Sequence, residues 1–241
     1  MSRRADPPSS LSAVTGNAAS VQPPQQERSR ASFERVLQAA TSLLEEEGYD
    51  GFTLAEVSKR AGVSIGSIYA RVKSKDDLFY VIQDRYMTRT EDRPLLRDPE
   101  AWSALSSHGL IVAVVHELGE IFKQNERLLR VFMHRGIVDP VVATRSSASV
   151  SQFHDAVEAI LLARSSSITH DDPALAVDVA FRMAWGTLAR QIMYGPTFES
   201  HRVIAWKTLV DELGRACAAY LLGGAADAGG ASRKPRARRR A

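Results

Sequence analysis

The sequence predicts an all-α protein. Three observations carry that expectation: apolar residues in the middle of the chain recur at spacings of three and four, cap residues of the Ser, Thr and Asp type precede several of these stripes, and no alternating run bounded by turn residues reads as a strand. With 241 residues, 44% hydrophobic and 24% charged, there is ample material for a core. The longest unbroken apolar stretch, Leu110 to Val115, falls far short of the roughly 20 residues that cross a bilayer. Pro7 and Pro8, among Ser and Gln, stand where a secretory signal would place its apolar segment. A cytoplasmic protein with no membrane partner is expected. Cys217 is the single cysteine, so neither an intramolecular disulfide nor a thiolate zinc cluster is possible, and its place in an apolar stripe reads as a small buried side chain rather than a redox sensor.

Residues 1–28 hold Pro7, Pro8, Pro23 and Pro24 among Ser, Gln and Ala, too few large apolar groups to offset ordering entropy, and read as a disordered arm. Residues 223–241 open with a Gly- and Ala-rich linker and end in a basic tail, also expected to be disordered. The tail decides the charge balance. Residues 233–240 carry six of the 31 basic side chains, and without them 25 bases face 28 acids, so the formal charge of +3 belongs to the tail. Any binding of nucleic acid by the folded part must rest on a local patch.

The elements follow in order. Phe33, Val36, Leu37, Ala40, Leu43 and Leu44 form the stripe of a first helix, with Gly48 as its stop. Thr53 and Glu56 have the spacing of a capping box, opening a second helix that runs to about Arg60. Gly62 makes the turn, Val63 a buried contact, and Ser64 caps a short third helix over 65–72. Ser74, with Asp76 and Asp77 in the first turn, opens a fourth. Two helices joined through Ala61-Gly62-Val63-Ser64 behind a supporting helix are the parts of a helix-turn-helix unit. If Ile68 and Val72 pack inward with Leu54, Val57 and Ala61, then Ile65, Gly66, Ser67, Tyr69, Ala70 and Arg71 remain outside as candidates for the major groove. Between Thr53 and Lys75 five bases, Lys59, Arg60, Arg71, Lys73 and Lys75, face one acid, Glu56: this is the local patch. Gly62-Val63-Ser64-Ile65-Gly66 also matches the G-x-S-x-G elbow of serine hydrolases, but that elbow requires a strand before its serine and a helix is expected here.

The run from Gly48 through Thr53, Gly62, Ser64 and Tyr69 to Lys75 resembles, nearly position by position, the N-terminal signature of the TetR family of transcriptional regulators. The resemblance covers about 50 residues. It implies an N-terminal three-helix DNA-binding domain (29–80) and a helical ligand-binding and dimerisation domain (81–222). It also implies a homodimer on double-stranded operator DNA and a small-molecule effector of unknown identity. By the same resemblance Thr53, Tyr69 and Lys75 would contact phosphates, assisted by the amide at the start of the fourth helix, while Ile65 to Ala70 would face bases. Many members carry a long or aromatic residue where Ala70 stands, and Phe where Val72 stands. The DNA-binding set is therefore Thr53, Ser64, Ile65, Gly66, Ser67, Tyr69, Ala70, Arg71, Lys73 and Lys75.

Beyond Pro99, helices are expected near 100–123, 126–135, 140–164, 172–194 and 199–221, with Asp172-Pro173 marking one start plainly. Leu175, Val177, Val179, Phe181, Met183, Trp185 and Leu188 nearly encircle their helix, so it must bury two faces. The last helix presents Val203, Trp206, Val210, Leu213, Cys217 and Tyr220, with Ile204 and Leu209 beside them. These last two helices suit a four-helix dimer interface. Effector-pocket candidates are Trp102, His108, His116, Phe132, Phe153, Met183 and Trp185, with His108 and His116 facing one cavity. No metal, cofactor or catalytic group is expected, and His170-Asp171-Asp172 reads as a loop with a helix cap. The reading is a sequence-specific, ligand-responsive repressor; the alternatives are an architectural DNA binder using its basic arms and, more remotely, a helical-domain enzyme with a DNA tether.

Overall fold

The computed structural model describes residues 25–91 and 102–223, and among them the regular elements are all helical. The expected arm up to residue 24, the tail from 224 and the linking residues 92–101 lie outside the described residues.

Helix α1 (Gln25–Gly51) begins inside the segment expected to be a disordered arm, because Gln25-Gln26-Glu27-Arg28 are good helix formers once Pro24 is passed. Gly48, with a left-handed φ of 69° and ψ of −173°, leaves helical geometry and stops the first stretch as expected, and a short further turn runs to Gly51 beyond the kink. Helix α2 (Leu54–Ala61) is opened by Thr53, whose hydroxyl accepts the Glu56 amide at 3.2 Å, and closed by Gly62 at φ 62°, ψ 37°, a conformation that costs a side-chain-bearing residue about 1–2 kcal/mol. Helix α3 (Ile65–Tyr69) is shorter than the expected 65–72; Ala70 to Val72 continue only as hydrogen-bonded turns. Helix α4 (Lys75–Glu91) is held open by reciprocal caps, Asp77 amide to Ser74 hydroxyl and Ser74 amide to Asp77 carboxylate, both 3.0 Å.

These four helices close over Val36, Leu43, Leu44, Phe52, Val57, Ile68 and Phe79. Their core is completed by Leu128, Phe132 and Val142 from the second part of the chain. The expected boundary at residue 80 falls inside α4, which runs on to bring Tyr86 against both cores.

The second part comprises α5 (Ser107–Gln124), α6 (Glu126–Val138), α7 (Pro140–Leu162), α8 (Pro173–Tyr194) and α9 (Trp206–Leu222). Helix α5 starts at the Ser106 cap, later than the expected residue 100, and Trp102 sits in a short turn ahead of it. Helix α9 starts at Trp206 instead of 199. Gly195 ends α8, and the Ser200 to Ile204 stretch, with a β-branched pair and no cap, stays outside any helix, leaving Val203 67% and Ile204 40% exposed. Helices α5 and α9 touch through glycines, Gly119 against Val210 and Gly214 against Val112. Cys217 is buried between helices, 3.6 Å from the Ala180 carbonyl, and burial pushes its thiol up to about 11. No described helix is long and apolar enough to cross a membrane.

Candidate nucleic-acid interface and effector cavity

Ile68 and Val72, 0% and 4% exposed, turn inward and hold α3 against the core. Everything else on that segment faces out: Ile65, Gly66, Ser67, Tyr69, Ala70, Arg71 and Lys73 are all exposed, Tyr69 by 53%. Ser64 spends its hydroxyl on the helix itself, accepting the Ser67 amide at 3.2 Å and sharing a 2.8 Å hydrogen bond with the Ser67 hydroxyl. Thr53 is likewise both exposed and capping. In the turn, Ser58 donates to the Val63 carbonyl at 2.6 Å, locking α2 to α3. The unit therefore presents a rigid, small-residue ridge.

The cations around this ridge are placed differently from one another. Lys73 is free of the body, while Arg71 lies 4.9 Å over the Phe33 ring and donates to Ser29, tying the end of α3 to α1. Lys75 is half-buried with its ammonium 4.1 Å above the Tyr49 ring; desolvation, with Arg135 nearby, holds its pKa below the usual lysine range against the pull of Asp50 and Asp76. Arg135 lies over Tyr49 at 4.1 Å and reaches Asp76 at 3.6 Å and Asp139 at 3.2 Å. Tyr49 donates to Asp76, and burial together with that carboxylate raises its phenol well above its ordinary range. Asp139, 7% exposed, accepts from Tyr80 at 3.0 Å and caps α7 through the amides of Val141 and Val142. This corner joins the start of α4 to the α6–α7 junction. The sequence reading missed it, although Asp139-Pro140 carries the same cap-and-proline signal as Asp172-Pro173.

The second part of the chain encloses a cavity of about 350 Å³ between α4 and α8. Of the seven pocket candidates, Phe132, Phe153 and Trp185 line it. The other four do not. His108 is exposed at the start of α5, and His116 pairs with Asp211 of α9 at 3.0 Å. Neither histidine reaches the cavity. Trp102 packs against the second core with its carbonyl accepting Arg164 at 2.8 Å, and Met183 is 38% exposed on the outer side of α8. The residues that sequence reasoning missed are Met87 and Met133 and the hydroxyls of Ser146 and Ser149, all drawn to the cavity by tertiary packing. His170 and Asp172 form the expected loop and cap, with the Leu175 amide donating to Asp172 at 3.0 Å.

Residues 36–81 match the family model of the bacterial regulatory proteins of the tetR family. Over 153 residues, 64% of this chain and 75% of the relative, the sequence is 26% identical to the uncharacterised HTH-type transcriptional regulator in the dhlA 5′ region of Xanthobacter autotrophicus. Two solved structures share the whole arrangement. A regulator from Mesorhizobium loti assigned to the TetR family superposes with a TM-score of 0.60 at 21% identity, over 80% of this chain and 94% of that one. The regulator FadR of Bacillus subtilis, solved in complex with stearoyl-CoA, gives 0.55 at 16% identity, over 80% and 98%. At these identities the superpositions establish the fold, an N-terminal helix-turn-helix unit backed by a helical second domain. The matched segment is the one whose exposed ridge and inward Ile68 were described above, and over it this chain is similar to the bacterial regulatory proteins of the tetR family.

Proposed function

We propose that this chain is a transcriptional regulator of the TetR family, a ligand-responsive repressor that binds double-stranded operator DNA as a homodimer. The observation that carries the reading is the exposed face of α3. Its backbone is bare at Gly66, its hydroxyls are rigidly capped, and Tyr69 and Lys73 stand clear of the body where a phosphate backbone would pass. Thr53, Ser64 and Ser67 line its start, Ile65 and Ala70 offer apolar contacts to base edges, and Arg71 and Lys75 brace the unit while adding positive charge. Reading two half-sites about 34 Å apart requires two copies. Exposed Leu175 and Met183 on α8 and Tyr220 on α9 supply apolar surface for a four-helix contact through the last two helices.

The effector reading draws on the cavity beneath the α6–α7 corner and on the acyl-CoA bound by the B. subtilis relative. A ligand that prefers a conformation with altered spacing of the two α3 helices lowers operator affinity by its differential affinity for the two states. Tyr69→Ala and Lys73→Ala are expected to weaken binding of a fragment from the regulator's own upstream region about tenfold each in a mobility-shift assay, with the dimer intact on sizing. Unchanged binding would sink the site assignment. Deleting residues 228–241 separates the architectural reading, which requires binding to disappear with the tail.

A further inference from the structure

We infer that the cavity takes an uncharged, largely apolar molecule carrying one hydrogen-bond-accepting oxygen, and that Ser146 reads that oxygen. The inference rests on the ligand-responsive reading and gives its ligand a chemical class. The lining holds no Lys, Arg, His, Asp or Glu. An ionised group placed there would lose hydration with no countercharge in reach, so a carboxylate, an ammonium or a phosphate ester is selected against. Leu118, Phe132, Phe153 and Trp185 give rigid apolar walls, and Met87 and Met133 can adapt to an irregular shape. At about 350 Å³ the space lies at the small end for ligand sites.

The polar side chains of the lining are Tyr86, Ser146 and Ser149, and the two serines are built in. Ser146 and Ser149, three residues apart on α7, share one side of that helix. Gln83 of α4 is fully buried and its amide donates to the Val142 carbonyl at 3.1 Å and to the Ser146 hydroxyl oxygen at 3.0 Å. Ser146 thus accepts from the protein and keeps its own proton to donate to a carbonyl, ether or hydroxyl oxygen of a ligand. A wider outer cleft of about 710 Å³ shares Met133, Ser146, Val150 and Trp185 with the cavity. Within the cleft Arg182 pairs with Asp178 at 2.9 Å, and His154, whose Nε2 is buried without a hydrogen bond, lies 3.3 Å from Asp178 and 3.6 Å from Asp155.

Calorimetric titration of the full-length chain with 1-decanol, decanoate, decyltrimethylammonium and decanoyl-CoA tests this. Decanol is expected to bind at least tenfold more tightly than either ion, with decanoyl-CoA weaker still. Ser146→Ala is expected to weaken decanol about three- to tenfold, the loss of one hydrogen bond. Ser149→Phe, which fills the cavity, is expected to abolish binding while leaving the thermal melt in place. Equal or tighter binding of any charged probe, no binding by any of the four, or decanol binding unaffected by Ser146→Ala overturns the inference. Operator retention is measured in parallel. Decanol binding that leaves retention unchanged upholds the ligand class and defeats the ligand-responsive reading; a charged probe that binds more tightly and alters retention does the reverse.

Discussion

The two ends of the molecule fill their interiors in opposite ways. Around α4 the first core is closed: Phe79 is fully buried with Tyr49, Phe132 and Tyr80 rings packed edge-on at 5.2, 5.5 and 6.4 Å, and Phe52 and Ile68 are equally inaccessible. Between α4 and α8 the second interior keeps an open volume of about 350 Å³, with Phe153 and Trp185 in its lining. A surface that must fit a duplex needs its ridge held to within a fraction of an ångström, which close packing provides. A domain that must accept a molecule and respond to it keeps room and forgoes contacts.

The largest expected effect tests that contrast directly. Phe79→Ala should cost about 3–5 kcal/mol in equilibrium unfolding, since a filled site cannot collapse around the loss. Phe153→Ala, beside a cavity that already exists, should cost roughly half as much, because a side chain that lines open volume makes fewer contacts to lose. Equal losses would mean that the second interior is as tightly packed as the first.

The corner that joins the two regions comes next. Asp139 is surrounded by donors, and although burial would raise its pKa, the hydrogen bonds from Tyr80 and the Val142 and Val141 amides, with Arg135 adding, hold it below the ordinary carboxylate value. A depressed folded pKa stabilises the protein fully above the unfolded value of about 3.9, and that contribution is lost as pH falls through the lower folded one. Asp139→Asn should therefore lower stability by about 1–3 kcal/mol at neutral pH, with the gap to the parent chain narrowing below about pH 4 in denaturant titrations. A gap that stays constant with pH would show that the carboxylate's charge plays no part at the corner.

How much of each region was legible in the sequence follows from the same difference. The DNA-binding unit is written in local signals: Thr53, Gly62 and Ser64 each fix a cap or a turn within a few residues, and the inward pair Ile68 and Val72 follows from spacing alone. Its exposed face could be read out residue by residue. The cavity is assembled from α4 through α8, and apolar candidates such as Phe132 and Met183 look alike until helix orientation decides that one lines it and the other faces outward. His108 and His116 are two turns apart on one helix, but which side of that helix meets the cavity is decided by packing against its neighbours. Asp139 carried readable local signals, its cap and Arg135 four residues before it, while its partner Tyr80 comes from a distant helix and was open only to the fold.

The smallest expected effect separates the two regions most cleanly. Ser64 and Ser106 both cap a helix, the first accepting the Ser67 amide at 3.2 Å and the second the Gly109 amide at 3.1 Å. Either serine changed to alanine should cost about 1 kcal/mol of global stability. Their functional consequences should differ. Helix α3 has five residues, so its first turn is most of the element, and fraying there displaces Ile65, Gly66 and Ser67 together. Helix α5 has 18 residues and stays anchored by Leu110, Val114 and Leu118 when its end frays. Ser64→Ala should therefore weaken operator retention well beyond its effect on unfolding, while Ser106→Ala should leave retention unchanged; equal retention in the two variants would show that the order of α3 does not limit DNA binding.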